Sequence, residues 1–160
     1  MTNKPYTGIP YVEGRDDCYG LQRLYYRQEY GIELSNYARP GDFAYTGLDL
    51  LQKYFVDEGF RIVNVSTHRM EQGDVMLIRV GNRCPTVNHI GIYTGQQRFL
   101  HHLVDSPSVE SVLDARWRSR IMTILRHPDA EQINHERREA TDPMDLVPPH
   151  MRVRYVDSLE

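Results

Sequence analysis

Three short strings hold the residue types that could do covalent chemistry. Asp16-Asp17-Cys18 precedes a run of helical character, Asn88-His89-Ile90-Gly91 opens a β-type run, and His101-His102 closes the next one. A thiol becomes a useful nucleophile as its thiolate, and the first turn of a helix favours that anion through its unpaired amides and macrodipole. Asp16 and Asp17 work against it as like charges. An imidazole within reach would settle the balance by taking the proton. Read alone, Cys18 also fits a small buried residue at a helix start, which free cysteine often is. The downstream histidines favour reaction over packing.

These residues need elements to place them. Leu21, Leu24 and Tyr25 follow helical spacing after Cys18, and Gly31 is a natural stop, so the spacing predicts a helix over 18–30 capped by Asp16 or Asp17. A second helix, over 46–58, puts Leu48, Leu51, Tyr54 and Phe55 on one face and ends at Gly59. Beyond it the period shortens to β-type runs: RIVNVST, GDVMLIRV, VNHIGIYTG and RFLHHLV. A helical turn in VLDARWRSR and a last strand, IMTILRH, follow. Helices first and antiparallel sheet second make an α+β domain over residues 1–127. Residues 128–160 are polar, with a short helix near 131–140, and read either as a solvated end or as a strap that orders on a partner.

The histidine hairpin can be taken further. Along a strand, His89, Gly91 and Tyr93 share one face while Ile90 and Ile92 take the other. With a three-residue loop, Gly95 to Gln97, Gly91 pairs with His101, which then shares a face with His89 at a diagonal of about 7–8 Å. With a two-residue loop at Gly95 and Gln96, His102 lies opposite His89 instead. Loop length decides between them.

Composition narrows the function classes. A chain of 160 residues with 40% apolar content is one ordinary domain. Its formal net charge of −3 supplies no basic field, so nucleic acid is a poor partner. No apolar run approaches the roughly 20 residues of a membrane span, and the start, MTNKPYTGIPYVEG, lacks a signal peptide's apolar stretch, so synthesis in the cytoplasm is expected. Two cysteines, Cys18 and Cys84, make no disulfide framework. His68, His89, His101, His102 and His127 offer ligand atoms without the short spacing of a zinc site, and no metal or cofactor is expected.

Asp17-Cys18-Tyr19-Gly20-Leu21, followed by NHIGIYTGQQRFLHH, resembles the NlpC-type cell-wall cysteine peptidases. Their pattern is Asp-Cys-Ser-Gly, then His-Val-Gly-Ile-Tyr, then a strand carrying a histidine. The resemblance implies a small papain-like fold in which N-terminal helices pack on an antiparallel sheet. It makes Cys18 the nucleophile, His89 the general base and His101 the residue that orients His89. It places Tyr11, within Pro10-Tyr11-Val12, at the active site, and puts Tyr19 where the family's substrate-binding serine stands. Asp17 could face the groove and bind the free amine of a stem peptide. A closer likeness, to the tail-tip peptidases of lambdoid phages and gene-transfer particles, implies a peptidoglycan stem peptide as substrate and tail-tip proteins as partners. It implies action on the cell wall in the periplasm from a virion tail tip. Two other readings compete: a structural tail-tip component with a relic site, and an amidase or acyltransferase using the same cysteine and histidine.

Overall fold

The first helix is built to begin at its cysteine. In the computed structural model, which describes residues 5–39, 49–81 and 83–140, helix α1 spans Cys18–Tyr30 and Asp17 is its N-cap, the carboxylate accepting from the Gly20 amide at 2.8 Å. That bond satisfies one of the donors every helix start leaves free. Gly31 ends the helix with φ 66°, a left-handed conformation that costs glycine little. Helix α2 is Leu50–Asp57 and buries Leu51 and Phe55 as the spacing predicts. Positions 46–48 of the expected helix, Leu48 among them, lie outside the described residues.

Six strands follow: β1 (Arg61–Ile62), β2 (Val75–Ile78), β3 (His89–Gly95), β4 (Arg98–His101), β5 (Val109–Val112) and β6 (Ile121–Arg126). They form one antiparallel sheet in the order β1-β6-β2-β3-β4-β5. A short helix, α3 (Ala115–Arg118), lies between β5 and β6. The architecture is α+β, with the N-terminal helices on the sheet. Strand β5 is an element the sequence reading did not contain.

Alternation along the strands divides the core. Val75, Leu77, Ile90, Ile92, Leu100 and Leu125 meet Leu21, Tyr25 and Tyr26 of α1 on one face, and Cys18 packs against that cluster. Met76, Ile78, Tyr93, Phe99 and Ile124 build a second cluster, joined by Leu113 and Trp117. Each fully buried side chain of this size contributes about 1.5–3 kcal/mol. The tyrosines of α1 are packing residues with satisfied hydroxyls: Tyr26 donates to the Gly73 carbonyl at 2.6 Å and Tyr30 to the Gln72 carbonyl at 2.9 Å.

A buried ion pair ties the sheet's centre together. Arg126 donates through Nε and Nη2 to the two oxygens of Asp74, both at 2.8 Å. Its Nη1 also reaches Glu71 and Glu131. Glu131 belongs to helix α4, Pro128–Glu139. There Asn134 donates to the Gln72 carbonyl at 2.7 Å and accepts from Tyr30, while Arg137 donates to the Glu29 carbonyl. The first part of the polar C-terminal segment is therefore held by the domain, mostly through polar contacts. Residues 141–160 lie outside the described ones.

Candidate active site

Cys18 occupies the first position of α1, where a tight loop folds over the helix start. Val12 and Asp16 bridge across this loop, and the Arg15 carbonyl comes so close that a Cβ on Gly20 would sit 1.8 Å from it. Only glycine fits there. The loop is pinned by Asp17, whose second carboxylate oxygen accepts from the Gly14 amide at 2.9 Å and from Arg39 Nε at 2.8 Å. Cys18 thus sits on a start fixed from several directions.

The thiol lies by the backbone amides of Ile90 and Tyr19 and within the field of Arg39. All three favour a thiolate. Burial opposes them, Asp17 adds to the opposition, and together these push the thiol up to about 12. The helix-start argument for a resting thiolate is therefore overridden: the dipole is present, but desolvation is the larger effect. Cys18 and Cys84 are not joined by a disulfide.

Ile90 is the second residue of β3, and His89 is the first, so the nucleophile's helix meets the sheet where the histidine strand begins. His89 is buried, and its Nε2 lies 3.1 Å from His101 Nδ1. His101 Nε2 lies 2.9 Å from Ser111 Oγ on β5. The His101 ring stacks on Phe99, with centroids 4.5 Å apart, and takes the edge of Trp117 at 4.9 Å. Burial, then the neighbouring histidines, pull His89 down to about 3; burial and His102 pull His101 down to about 4. Both rings are neutral near pH 7.

The hairpin register settles which histidine joins His89. Gly91 pairs with His101, as the longer loop would have it, but the chain reverses at Gln96 and Gln97, with φ 50° and 57°, and a bulge between Tyr93 and Gly95 absorbs the extra residue. His102 points to the other side of β4. It stands edge-on to Tyr11, with ring centroids 5.3 Å apart, and borders a cavity of about 160 Å³ on the outer side of α1 with Arg23 and Arg27. Its ring nitrogens are buried beside the backbone of Ser106 and Ile9.

The other expected site residues are placed unevenly. Tyr11 is part-buried near the nucleophile; burial, then the charges of Cys18 and Asp17, push its hydroxyl up to about 12. Asp17 does not face a groove with a free carboxylate: both oxygens are taken by amides and Arg39. Tyr19 is fully buried, its ring against Phe55 and Tyr54 and its hydroxyl donating to the Ser35 carbonyl. It replaces the family's serine as a core residue, because its position on α1 turns a large ring inward. Sequence reasoning missed Ser111 and Arg39. Val109-Glu110-Ser111-Val112 does alternate, but over so short a polar stretch that the signal is faint.

A profile of the NlpC/P60 family matches residues 8–126. The tail tip assembly protein K of Escherichia phage lambda is 31% identical over 123 residues, covering 76% of this chain and 58% of that protein. The protein of the same name from Escherichia phage N15 is 31% identical over 129 residues, covering 75% of this chain and 48% of its own. The chain thus spans about half the length of these curated relatives. Among solved structures, a lipoprotein-like NLP/P60 protein of Staphylococcus aureus shares the fold with a TM-score of 0.51 and 24% identity, over 76% of this chain and 37% of that one. By its profile match and these relatives, the chain belongs to the NlpC/P60 family.

Proposed function

We propose that this domain is a cysteine endopeptidase that hydrolyses an amide bond in peptidoglycan stem peptides, acting at a phage-type tail tip to help the tail through the cell wall. One observation carries the chemistry: a capped helix start brings Cys18 to the backbone of Ile90, the residue after His89, while His89, His101 and Ser111 form a hydrogen-bonded chain. The family and the tail-tip relatives supply the substrate class and the setting.

The proton order follows from the chain. For His89 to accept through Nδ1, its Nε2 must carry the hydrogen and donate to His101 Nδ1; His101 Nε2–H then donates to Ser111 Oγ. In this assignment Cys18 Sγ attacks the amide carbonyl carbon as its proton passes to His89. The C–N bond breaks, and the departing amine takes that proton. Water then attacks the thioester with His89 as base, releasing the acid and the free thiol. The Cys18 backbone amide, a free donor of the helix start, meets the oxyanion, with Tyr11 beside it. His101 orients His89, the part the third member of a triad plays.

A structural tail-tip part with a latent site is the second reading, and a thiol held protonated is compatible with it. Purified sacculi decide between them. The wild-type chain should release muropeptides, Cys18→Ala should release none while melting normally, and mass analysis should show one cleaved amide. Wild-type protein that releases nothing leaves the latent reading standing; equal release by Cys18→Ala removes the thiol from the mechanism.

A further inference from the structure

The histidine end of the sheet carries charge that the mechanism above leaves unused. His89 opens β3 and His101 closes β4; at the same end β2 stops at Ile78, paired with His89, and β6 starts at Ile121, paired with Ile78. Just outside those two strand ends stand Arg79 and Arg120, joined by a hydrogen bond of 3.1 Å from the Arg79 amide to the Arg120 carbonyl. Asn88, the residue before His89, donates to the Val80 carbonyl at 2.8 Å and accepts from the Val80 amide at 2.7 Å. The backbone that bears Arg79 is thus clamped to the strand that bears His89. Strand spacing and rise put the Cα atoms of Arg79 and His89 about 6 Å apart.

Arg79 and Arg120, with Ser119, Gly81 and Met122, line a cavity of about 230 Å³. Arg79 and Ser119 are exposed and Arg120 is half-buried, so the cavity is open to solvent. Among the described residues no carboxylate lines it, and neither arginine enters an ion pair. The cavity behind α1 differs, since Asp16 and Glu33 line it beside its arginines. The Arg120 guanidinium lies over the Trp117 ring at 5.8 Å, and the Trp117 ring lies 4.9 Å from that of His101 and 6.3 Å from that of His89. Contacts therefore run from the cavity to the histidine pair. In a chain of net charge −3, two uncompensated guanidiniums at one cavity concentrate positive potential there, and their planar forks, with a serine hydroxyl beside them, suit a carboxylate.

We propose that this cavity is a carboxylate subsite: Arg79 and Arg120 hold an ionised carboxylate of the stem peptide while its scissile amide lies at Cys18 and His89. An extended chain spans about 3.3–3.6 Å per residue, so a carboxylate one to three residues from the reacting amide covers the distance. The substrate class is then stem peptides whose carboxyl groups are free, in preference to stems in which they are amidated. This rests on the peptidoglycan reading above and narrows it.

Binding without turnover tests the subsite. Cys18→Ala protein is titrated calorimetrically with L-Ala-γ-D-Glu-meso-diaminopimelate and with the same tripeptide carrying amides in place of its carboxyl groups. The free acid should bind at least about fivefold tighter, even though the protein's net charge repels it as a whole. Adding Arg79→Gln and Arg120→Gln together should abolish that preference. Arg79→Gln alone, at an exposed position, should cut it at least by half and serves if the protein with both substitutions melts early. Arg116→Gln, in the Cys18→Ala background, removes an equal charge at an exposed position of α3 outside the cavity and should leave the preference intact. Equal binding of the two peptides, no binding of the free acid, a preference that survives the cavity substitutions, or an Arg116→Gln as damaging as they are overturns the subsite. Wild-type protein that releases no muropeptide, with the binding order as stated, would sink the peptidase reading and leave the subsite standing; hydrolysis with equal binding does the reverse.

Discussion

His101→Ala is the substitution whose outcome the geometry fixes most closely. In the proposed tautomers a neutral imidazole donates one hydrogen bond of 3.1 Å from His89 Nε2 to His101 Nδ1, beside the rings of Phe99 and Trp117. Truncation leaves a buried N–H without an acceptor, which costs about 1–3 kcal/mol. Where that loss falls on the reactive orientation of His89, it divides kcat/KM by about 5 to 140, at about 1.4 kcal/mol per factor of ten. The loss is modest because a neutral partner supplies orientation without charge. Two controls separate the bond from the packing. His101→Asn restores an acceptor and should recover most of the rate; His101→Phe keeps the aromatic stack without the acceptor and should behave like alanine. His102→Ala, on the far side of β4, should leave kcat unchanged. Initial rates of muropeptide release, with melting curves on each variant, measure all of this. A fully active His101→Ala, or a His102→Ala as impaired as it, would refute the register argument.

Three further outcomes follow from burial and charge. With the Cys18 thiol pushed up to about 12, its alkylation rate in the free protein should climb about tenfold per pH unit through the neutral and mildly alkaline range; a plateau near neutrality would reveal a preformed thiolate. Arg126→Ala strands the Asp74 carboxylate in the sheet's interior, costing about 3–5 kcal/mol. At about 2–4 °C per kcal/mol for a chain of this size, calorimetry should show Tm falling by about 6–20 °C, and a shift of a degree or two would mean the pair is not what joins β2 to β6. His89 and His101 fall to about 3 and 4 in the fold from an ordinary 6.5, so below pH 6.5 the unfolded chain binds protons that the folded one refuses. Stability is therefore full above pH 6.5 and drains away toward pH 4, and urea midpoints that stay level across that range would contradict the buried neutral pair.

The parts of the fold legible in the sequence were those with a local cause. Helix α1 could be read residue for residue because its cap, its apolar spacing and its terminal glycine are all written within Asp17 to Gly31. The His89–His101 face was legible only as one of two alternatives, since alternation needed the loop length to choose between His101 and His102, and the observed pairing of Gly91 with His101 makes that choice. The turn was not legible. Two successive glutamines with positive φ carry no turn signature, and a bulge can trade one residue of loop for one of strand without a compositional mark. Strand β5 escaped because half of its residues are polar and its value is positional, bringing Ser111 to His101. Arg39 escaped for a different reason: nothing in Tyr37-Ala38-Arg39 says that the chain returns to the helix start, and a buried Arg–Asp contact 22 residues apart leaves no periodic trace. Helix α4 was half legible, since it buries only Ala130 and Asn134 and so shows little apolar spacing.

The electrostatic state of the site also constrains how it can turn over. In the proposed proton path every member is uncharged at rest: a thiol held protonated by burial, an imidazole too poorly solvated to accept a proton freely, and a second imidazole assigned to pass a hydrogen to a serine. A standing thiolate–imidazolium pair would need both charges desolvated at once, and the opposed displacements of Cys18 and His89 are the measure of that cost. The attack then has to move the proton and form the S–C bond together, so that charge appears on the carbonyl oxygen, within reach of helix-start amides, as it leaves the sulfur. A site built as proposed reacts slowly with small thiol reagents and fast with a substrate that fills it, because helix-start amides would then meet the oxyanion without solvent having to reorganise. Idle alkylation and productive turnover therefore report different things. A sluggish Cys18 in the free protein is what the burial of this thiol requires of an active enzyme as much as of a latent one, and substrate turnover alone separates the two.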